Sequence, residues 1–522
     1  MQAPYSRTLS DLLDEQAARR PEATAVICGD VRLSYAALAE RTRRAAGALR
    51  ARGVRRGDRV GLLINNRPEW LEVAFGAWRL GAVAVPFSTW STRPEMEFLL
   101  GDSDVRVLVA LPAFAREDYA ANLRAIQPAA SVLMVDGAAH GFPDYVVARD
   151  AAEPVGSLAP GDGAGAGDDA MILYTSGSTS KPKAIPLTHY LIVENSFNIG
   201  ERQGLGPDDR VLLSPPLFWT YGGINAMPAT FSHGATLVLQ GRFDAAEALD
   251  LVEQHGCTSI YTLPGMTDEI ARHPRFRPER TRTLTKGMTI GSPQDVIKAA
   301  EVIGVRNICN IYGASETGGN CCVTHHDWPL ERRANCQGLP LPGVRLRIVD
   351  AEGAVLGPDQ PGLVEVSGPY VMRGYTGGSA HHNSATFTAD GWFRSGDVGS
   401  LTPAGEFVFQ GRSTEMIKRA GINVSPAEVE DVLMQHAGVA QAGVVGTAGD
   451  KDELIVAFVL PKGGARLTPE ELRAHCRRVA SSYKVPDRFE IVEQLPTTVT
   501  GKLMRRELKT VAAALAPEQR AG

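Results

Sequence analysis

Residues 71–87, LEVAFGAWRLGAVAVPF, hold a helix and a strand in one short run. Apolar residues recur at helical spacing through Trp78, Gly81 stops the helix, and an unbroken apolar run ends at Pro86. The same order precedes it. SYAALAERTRRAAGALRARG (34–53) places Leu38, Ala45 and Leu49 on one helical face, ends at Arg52 and Gly53, and leads into the apolar strand RVGLLI (59–64). Strands without polar alternation are buried on both faces, and their alternation with helices predicts α/β layers with largely parallel strands.

The pattern extends along the chain. VLLSPPLF (211–218), ATLVLQ (235–240), RNICNIYG (306–313) and VRLRIVD (344–350) read as further strands. VGSLAPGDGAGAGDDA (155–170) has no periodicity and reads as a flexible connector. From about 338 to 411 short strands alternate with Gly and Pro turns, as in a small β-barrel or meander. After GRSTEMIKRAG (411–421) come a helix from Ser425, two strands, and a second helix from Thr468. A domain boundary falls near 412–415, and no internal repeat is present.

Composition narrows the function. The 522 residues are 44% hydrophobic and 22% charged, with net charge −5, as in an ordinary globular protein. That acidic balance gives no support for a partner held by attraction to nucleic-acid phosphates. The start has neither the basic segment nor the apolar stretch of a secretory signal, and no run approaches the roughly 20 apolar residues of a membrane span. The seven cysteines show no CxxC pair, so neither a zinc site nor a disulfide framework is expected, and the reading is cytoplasmic.

Four stretches carry chemistry. YTSGSTSKPKA (174–184) follows an apolar strand end. Its Thr175, Ser176, Ser178 and Thr179 supply hydroxyl donors, Gly177 keeps the backbone accessible, and Lys181 and Lys183 add charge, the make-up of a phosphate-binding nest. It is not a Walker A loop, since GxxxxGK[ST] is absent. NIYGASETGGN (310–320) sets Glu316, a candidate Mg²⁺ ligand, behind a strand that ends in Tyr312. GWFRSGDVG (391–399) puts Asp397 in a Gly-flanked turn, where a carboxylate can accept from ribose hydroxyls, and Arg412 follows. PTTVTGKLMRREL (496–508) sets Lys502 before a helix. Taken singly, each has a bland reading as a polar turn, a solvated glutamate, a self-capping aspartate or a helix-start lysine.

Together and in this order they resemble the adenylate-forming superfamily, which includes acyl- and aryl-CoA synthetases, peptide-synthetase adenylation domains and firefly luciferase. The resemblance runs from LSYAALAERTRRAAGAL (33–49) to Lys502. It implies a large N-terminal domain of layered α/β subdomains plus a small barrel, residues 1–412, and a smaller mobile α+β domain, residues 413–522. It also implies a two-step reaction. Carboxylate and ATP give acyl-AMP and pyrophosphate, and a thiol, that of coenzyme A, then displaces AMP.

By the same resemblance, Thr175 to Thr179 and Lys183 grip the β- and γ-phosphates. Glu316 holds Mg²⁺ and Ser315 meets the α-phosphate. Tyr312 with Gly313, and Gly291, Ser292 and Pro293, wall the adenine, while Asp397 and Arg412 hold the ribose. Lys502 neutralises charge at the α-phosphorus. Thr414 is the hinge, and Ala420 and Gly421 border the pantetheine tunnel. Trp219, Tyr221, Gly223, Met288, Gly313, Gly318 and Gly319 are implied as the acyl pocket, with the glycines leaving room for a bulky acid.

The chain departs from the family's usual pattern in four ways. Ser180 and Ala184 replace common glycines, which implies a stiffer phosphate loop. Thr414 replaces Asp or Lys, Ala420 replaces a glycine, and Trp219 stands where many relatives carry His. The reading is an ATP- and Mg²⁺-dependent ligase of a hydrophobic carboxylic acid and CoA. Its rivals are an enzyme that hands acyl-AMP to a carrier protein or partner enzyme, and a nucleotide-binding scaffold without turnover.

Overall fold

A computed structural model describes residues 6–156, 158, 161–175, 182–419, 422–449, 453–480, 484–497 and 503–515. The stretch 71–87 folds as it reads. The helix Pro68–Arg79 is buried at every position except Glu69, Gly81 takes a left-handed φ of 69°, and the strand Val83–Pro86 is wholly buried. The buried Glu72 of this helix is met by Arg149 at 2.7 Å, as a buried charge requires. Trp78 seals the helix in place, its indole N–H donating to the Ala170 carbonyl at 2.7 Å.

Val83–Pro86 lies parallel to Arg59–Leu63 on one side and to Asp169–Thr175 on the other. Asp169–Thr175 in turn pairs antiparallel with Lys183–Thr188 at the edge. Among the described residues this sheet has six strands, and a second of nine runs through Arg210–Leu213, Ser259–Tyr261, Lys286–Thr289 and Asn307–Tyr312 in parallel. One apolar core joins both sheets through the intervening helices.

Residues 345–412 form a four-stranded antiparallel meander in chain order, from Arg345–Val349 to Phe407–Arg412. Beyond it, the strands Val439–Ala448, Glu453–Pro461 and Arg488–Ile491 and the helices Pro426–Met434 and Pro469–Val479 enclose an apolar core of their own. Ser425 and Thr468 cap those helices through their side chains, as their positions before proline suggest.

Two expectations change. VLLSPPLF is not one strand. The strand Arg210–Leu213 stops before Pro215 and Pro216, which lack the N–H a ladder needs, and a π-helix Thr220–Ala226 follows. The second half of the 155–170 connector is tied down as well. Arg56 donates to Asp168 at 2.7 Å and to the Gly161 carbonyl at 2.7 Å, and the Tyr190 N–H reaches the Ala166 carbonyl at 2.8 Å. Among the described residues no helix is long and apolar enough to cross a membrane, and all seven cysteines are free.

Candidate active site

The antiparallel strands Asp169–Thr175 and Lys183–Thr188 form a hairpin that pairs Thr175 with Lys183. Ser176, Gly177, Ser178, Thr179, Ser180 and Lys181 lie outside the described residues. Lys183 projects its ammonium over the Tyr375 ring, 4.8 Å from the centroid, a cation–π contact. Ala184 is 2% exposed, pairs with Tyr174 and bridges to Thr376. It is a strand residue whose φ is not left-handed, so the expected stiffening of the loop by an alanine at 184 has no place here.

The strand Asn307–Tyr312 delivers the second group. Tyr312 is 6% exposed. Its ring packs on Phe407 at 4.3 Å and stacks on Phe409 at 5.8 Å. Its hydroxyl donates to Asp397 Oδ2 at 2.7 Å, and burial and the Asp397 charge push that hydroxyl far above its ordinary pKa. Asp397 is not in a turn. It sits within the strand Phe393–Leu401, directly across from Arg412, whose half-exposed guanidinium lies 3.0 Å from its Oδ1. A register shift between Val398 and Gly399 gives this pair its place, as bulges re-aim side chains.

After Tyr312 the chain turns through the 3-10 helix Ser315–Thr317. The Ser315 and Thr220 hydroxyls are 2.6 Å apart. Glu316 accepts from the Tyr375 hydroxyl through Oε1 at 2.8 Å, and its carbonyl accepts from the Met372 N–H at 2.7 Å. Tyr375 thus joins Lys183 and Glu316, two residues 133 positions apart in the chain. Burial and Glu316 raise its hydroxyl pKa, which keeps it a donor. Ser292 and Pro293 start the helix Pro293–Glu301, where Ser292 and Asp295 form a reciprocal capping box. A Cβ on Gly291 would meet Asp295 Oδ2 at 2.6 Å.

The acyl-pocket expectation changes most. The glycines do not open a chamber, because the protein fills the space beside them. A Cβ on Gly313 would stand 1.7 Å from the Gly319 carbonyl oxygen, one on Gly223 2.1 Å from that of Leu217, and one on Gly319 2.1 Å from the Asn225 amide. Gly318 and Gly319 also hold left-handed φ values of 70° and 89°, which favour glycine whatever the space. Met288 is fully buried core. Tyr221 packs on Tyr261 at 5.1 Å and donates to the Thr262 carbonyl at 3.2 Å. Trp219 alone of the seven borders the cavity of about 680 Å³ that opens among Trp90, Phe218, Arg242, Leu263 and Met266. Trp90 meets Trp219 edge-on at 5.0 Å.

Thr414 is exposed in a turn in which the Glu415 and Met416 N–H groups both donate to the Arg412 carbonyl. Ala420, Gly421 and Lys502 lie outside the described residues. Near Lys502 in sequence, Arg505 pairs with Glu430 at 2.6 Å and with Glu415 at 3.4 Å. Sequence reading missed Tyr375, Thr220 and Phe409. Tyr375 had a signal, an aromatic set in the Gly-rich run RGYTGGS (373–379). Thr220 and Phe409 had none, since only the tertiary fold brings them to Ser315 and Tyr312.

Residues 13–376 match the family model described as AMP-binding enzyme, and residues 428–502 match that of the AMP-binding enzyme C-terminal domain. The chain is 34% identical over 494 residues to a feruloyl-CoA synthase of an Amycolatopsis species, covering 94% of this chain and 96% of that one. It is 33% identical over 515 residues to the indoleacetate–CoA ligase of Aromatoleum aromaticum, with 97% and 98% covered. The crystal structure of an anthranilate CoA ligase in complex with anthranoyl-AMP is similar at a TM-score of 0.87 and 26% identity, over 99% of each chain.

Proposed function

We propose that this chain, which belongs to the AMP-binding enzyme family and is an ATP-dependent acyl-CoA ligase, activates a hydrophobic carboxylic acid at the residues that converge on Tyr375. In the first half-reaction a carboxylate oxygen bonds to the α-phosphorus of ATP and the bond from that phosphorus to pyrophosphate breaks. In the second the CoA sulfur bonds to the acyl carbon, the bond to AMP breaks, and the thiol proton leaves to solvent. AMP is the better leaving group by far, which is why the acid is adenylated first.

The observation that carries this reading is the line Lys183–Tyr375–Glu316 at the mouth of the hairpin. It sets a cation and a carboxylate beside the strand ends that frame the 176–182 loop. Lys183 and the loop hydroxyls hold the β- and γ-phosphates, and Ser315, kept in place by Thr220, meets the α-phosphate. The Tyr312–Phe409 pair and residues 291–293 wall the adenine, and the Asp397–Arg412 pair faces the ribose. Lys502 offsets the charge that gathers on the α-phosphorus.

Glu316 suits Mg²⁺, since Tyr375 occupies one carboxylate oxygen and the other meets no partner among the described residues. Such an ion takes one or two protein oxygens and supplies charge against the phosphates. Residues 1–412 and 413–522 act as two bodies about Thr414. Trp90, Phe114, Phe218, Trp219 and Phe243 give the cavity an aromatic wall that suits an apolar acid, with Arg116, Glu117, Arg242 and Glu269 also on its lining.

The test is pyrophosphate release across a panel of aryl, arylacetic and medium-chain acids, with and without CoA. Acid-dependent release with AMP and acyl-CoA formed in step is the expected result. Acyl-AMP without acyl-CoA for every active acid would replace CoA with a carrier or partner as acceptor, and no release with any acid would leave a nucleotide-binding scaffold.

A further inference from the structure

We infer that His382, supported by His381, is a further contact for the terminal phosphates of ATP and for pyrophosphate. The inference rests on the proposed placement of those phosphates at the Thr175–Lys183 hairpin.

The segment 374–383 is strapped across that hairpin. The Thr376 N–H donates to the Ala184 carbonyl at 3.1 Å, and the Ala184 N–H donates to the Ser379 hydroxyl at 3.1 Å. The segment is also closed on itself. The Asn383 side chain accepts from the Tyr375 N–H at 2.7 Å and donates to the Tyr375 carbonyl at 3.0 Å. It therefore holds its side chains in place instead of swinging free.

Two cationic or potentially cationic groups share the Tyr375 ring. The Lys183 ammonium lies 4.8 Å from its centroid, and the His382 ring stands edge-on at 6.4 Å. His381 lies over His382 with centroids 3.9 Å apart, and its Nδ1 is 2.8 Å from the Gly378 carbonyl. A carbonyl can only accept, so that nitrogen carries the proton and the His381 ring is fixed. Both nitrogens of half-buried His382 lack a hydrogen-bond partner among the described residues, and Lys183 has no ion pair there. Burial, His381 and Lys183 all hold the His382 imidazole below its ordinary pKa, so at neutral pH it offers one N–H and one lone pair. Two carboxylates flank this line: Glu316 accepts from the Tyr375 hydroxyl at 2.8 Å, and Asp102 accepts from the Tyr174 hydroxyl at 2.7 Å and from the Gly378 N–H at 3.3 Å. An ammonium and an imidazole donor set on one aromatic ring, neither paired with a carboxylate among the described residues, match a polyphosphate.

The experiment compares His382→Ala and His382→Gln with wild type in acid-dependent ATP–pyrophosphate exchange, together with AMP affinity by calorimetry. Loss of a hydrogen bond to a charged oxygen is worth about ten-fold or more, so His382→Ala should raise KM for ATP and for pyrophosphate by about that factor. Gln, which keeps an N–H donor, should restore most of it. AMP has no terminal phosphates, and its affinity and the KM of the acid should stay level. Equal losses for ATP and AMP would show a structural role and overturn the inference, as would an unchanged KM for ATP. Exchange absent in wild type with every acid would instead overturn the function on which the inference rests.

Discussion

Single side chains here act through one or two bonds, and Glu316 is the clearest case. It has one carboxylate oxygen on the Tyr375 hydroxyl, so its orientation is set before any substrate arrives. Glu316→Gln keeps the shape and the Tyr375 contact but removes the charge. Partners that orient a metal ligand are worth 10–100-fold. Loss of the ligand's own charge should therefore raise the Mg²⁺ needed for half-maximal adenylation by roughly ten-fold or more. Metal titration of pyrophosphate release measures this, and an unchanged half-saturation would move the ion elsewhere. Asp397 teaches the complementary lesson. The sequence suggests a turn because Gly396 precedes it, yet the residue is a strand position paired with Arg412, and Gly396, at a left-handed φ of 75°, lies where the register against Gly362–Ser367 shifts.

At the scale of the element, the π-helix Thr220–Ala226 borders the proposed substrate side. Such helices occur mostly as single turns near functional sites. This one sends Thr220 toward Ser315 while Trp219, just before it, faces Trp90 and the cavity of about 680 Å³. One element thus joins the proposed phosphate contact to the wall of the cavity. Trp219→Ala removes one of the two tryptophans that wall the cavity without touching the hairpin. It should shift kcat/KM toward bulkier acids by about ten-fold, the scale of a few methylenes in an apolar pocket, and leave KM for ATP unchanged. An acid profile with the same relative rates would take Trp219 out of the pocket. The glycines of 313–319 belong to this scale too. They let the loop after Asn307–Tyr312 pack against Asn225 and Leu191, which is a folding role.

At the scale of the molecule, the proposed reaction has residues 1–412 and 413–522 change their mutual orientation between half-reactions, with Thr414 proposed as the hinge. Thr414 is exposed, and its N–H bonds to nothing among the described residues, so proline there costs no hydrogen bond. Proline does disfavour helical backbone at the residue before it, and the two bonds to the Arg412 carbonyl require such backbone at Ser413. Thr414→Pro should therefore disturb one orientation more than the other. Adenylation, followed as single-turnover acyl-AMP formation, and thioester formation from supplied acyl-AMP should change by factors at least about ten-fold apart, as hinge substitutions alter the steps they gate. Equal changes in both would remove Thr414 as the hinge.

Local pattern carried much of this protein. The helix and strand of 71–87, the caps at Ser425 and Thr468, the meander before residue 412, and the order of the four chemical stretches all follow from residue type and short-range spacing, because backbone preference and strand or helix period act over a few residues. What brought Tyr375 between Lys183 and Glu316, put Asp397 across from Arg412, and packed Asn225 into the space beside Gly319 is the pairing and packing of segments far apart in the chain. Those contacts depend on register, bulges and close approach of backbones, which one-dimensional periodicity does not encode. The chemistry was legible in the order of the motifs; the shape of the cavity beside Trp219 and the strap that carries His382 were decided only when the sheets closed around them.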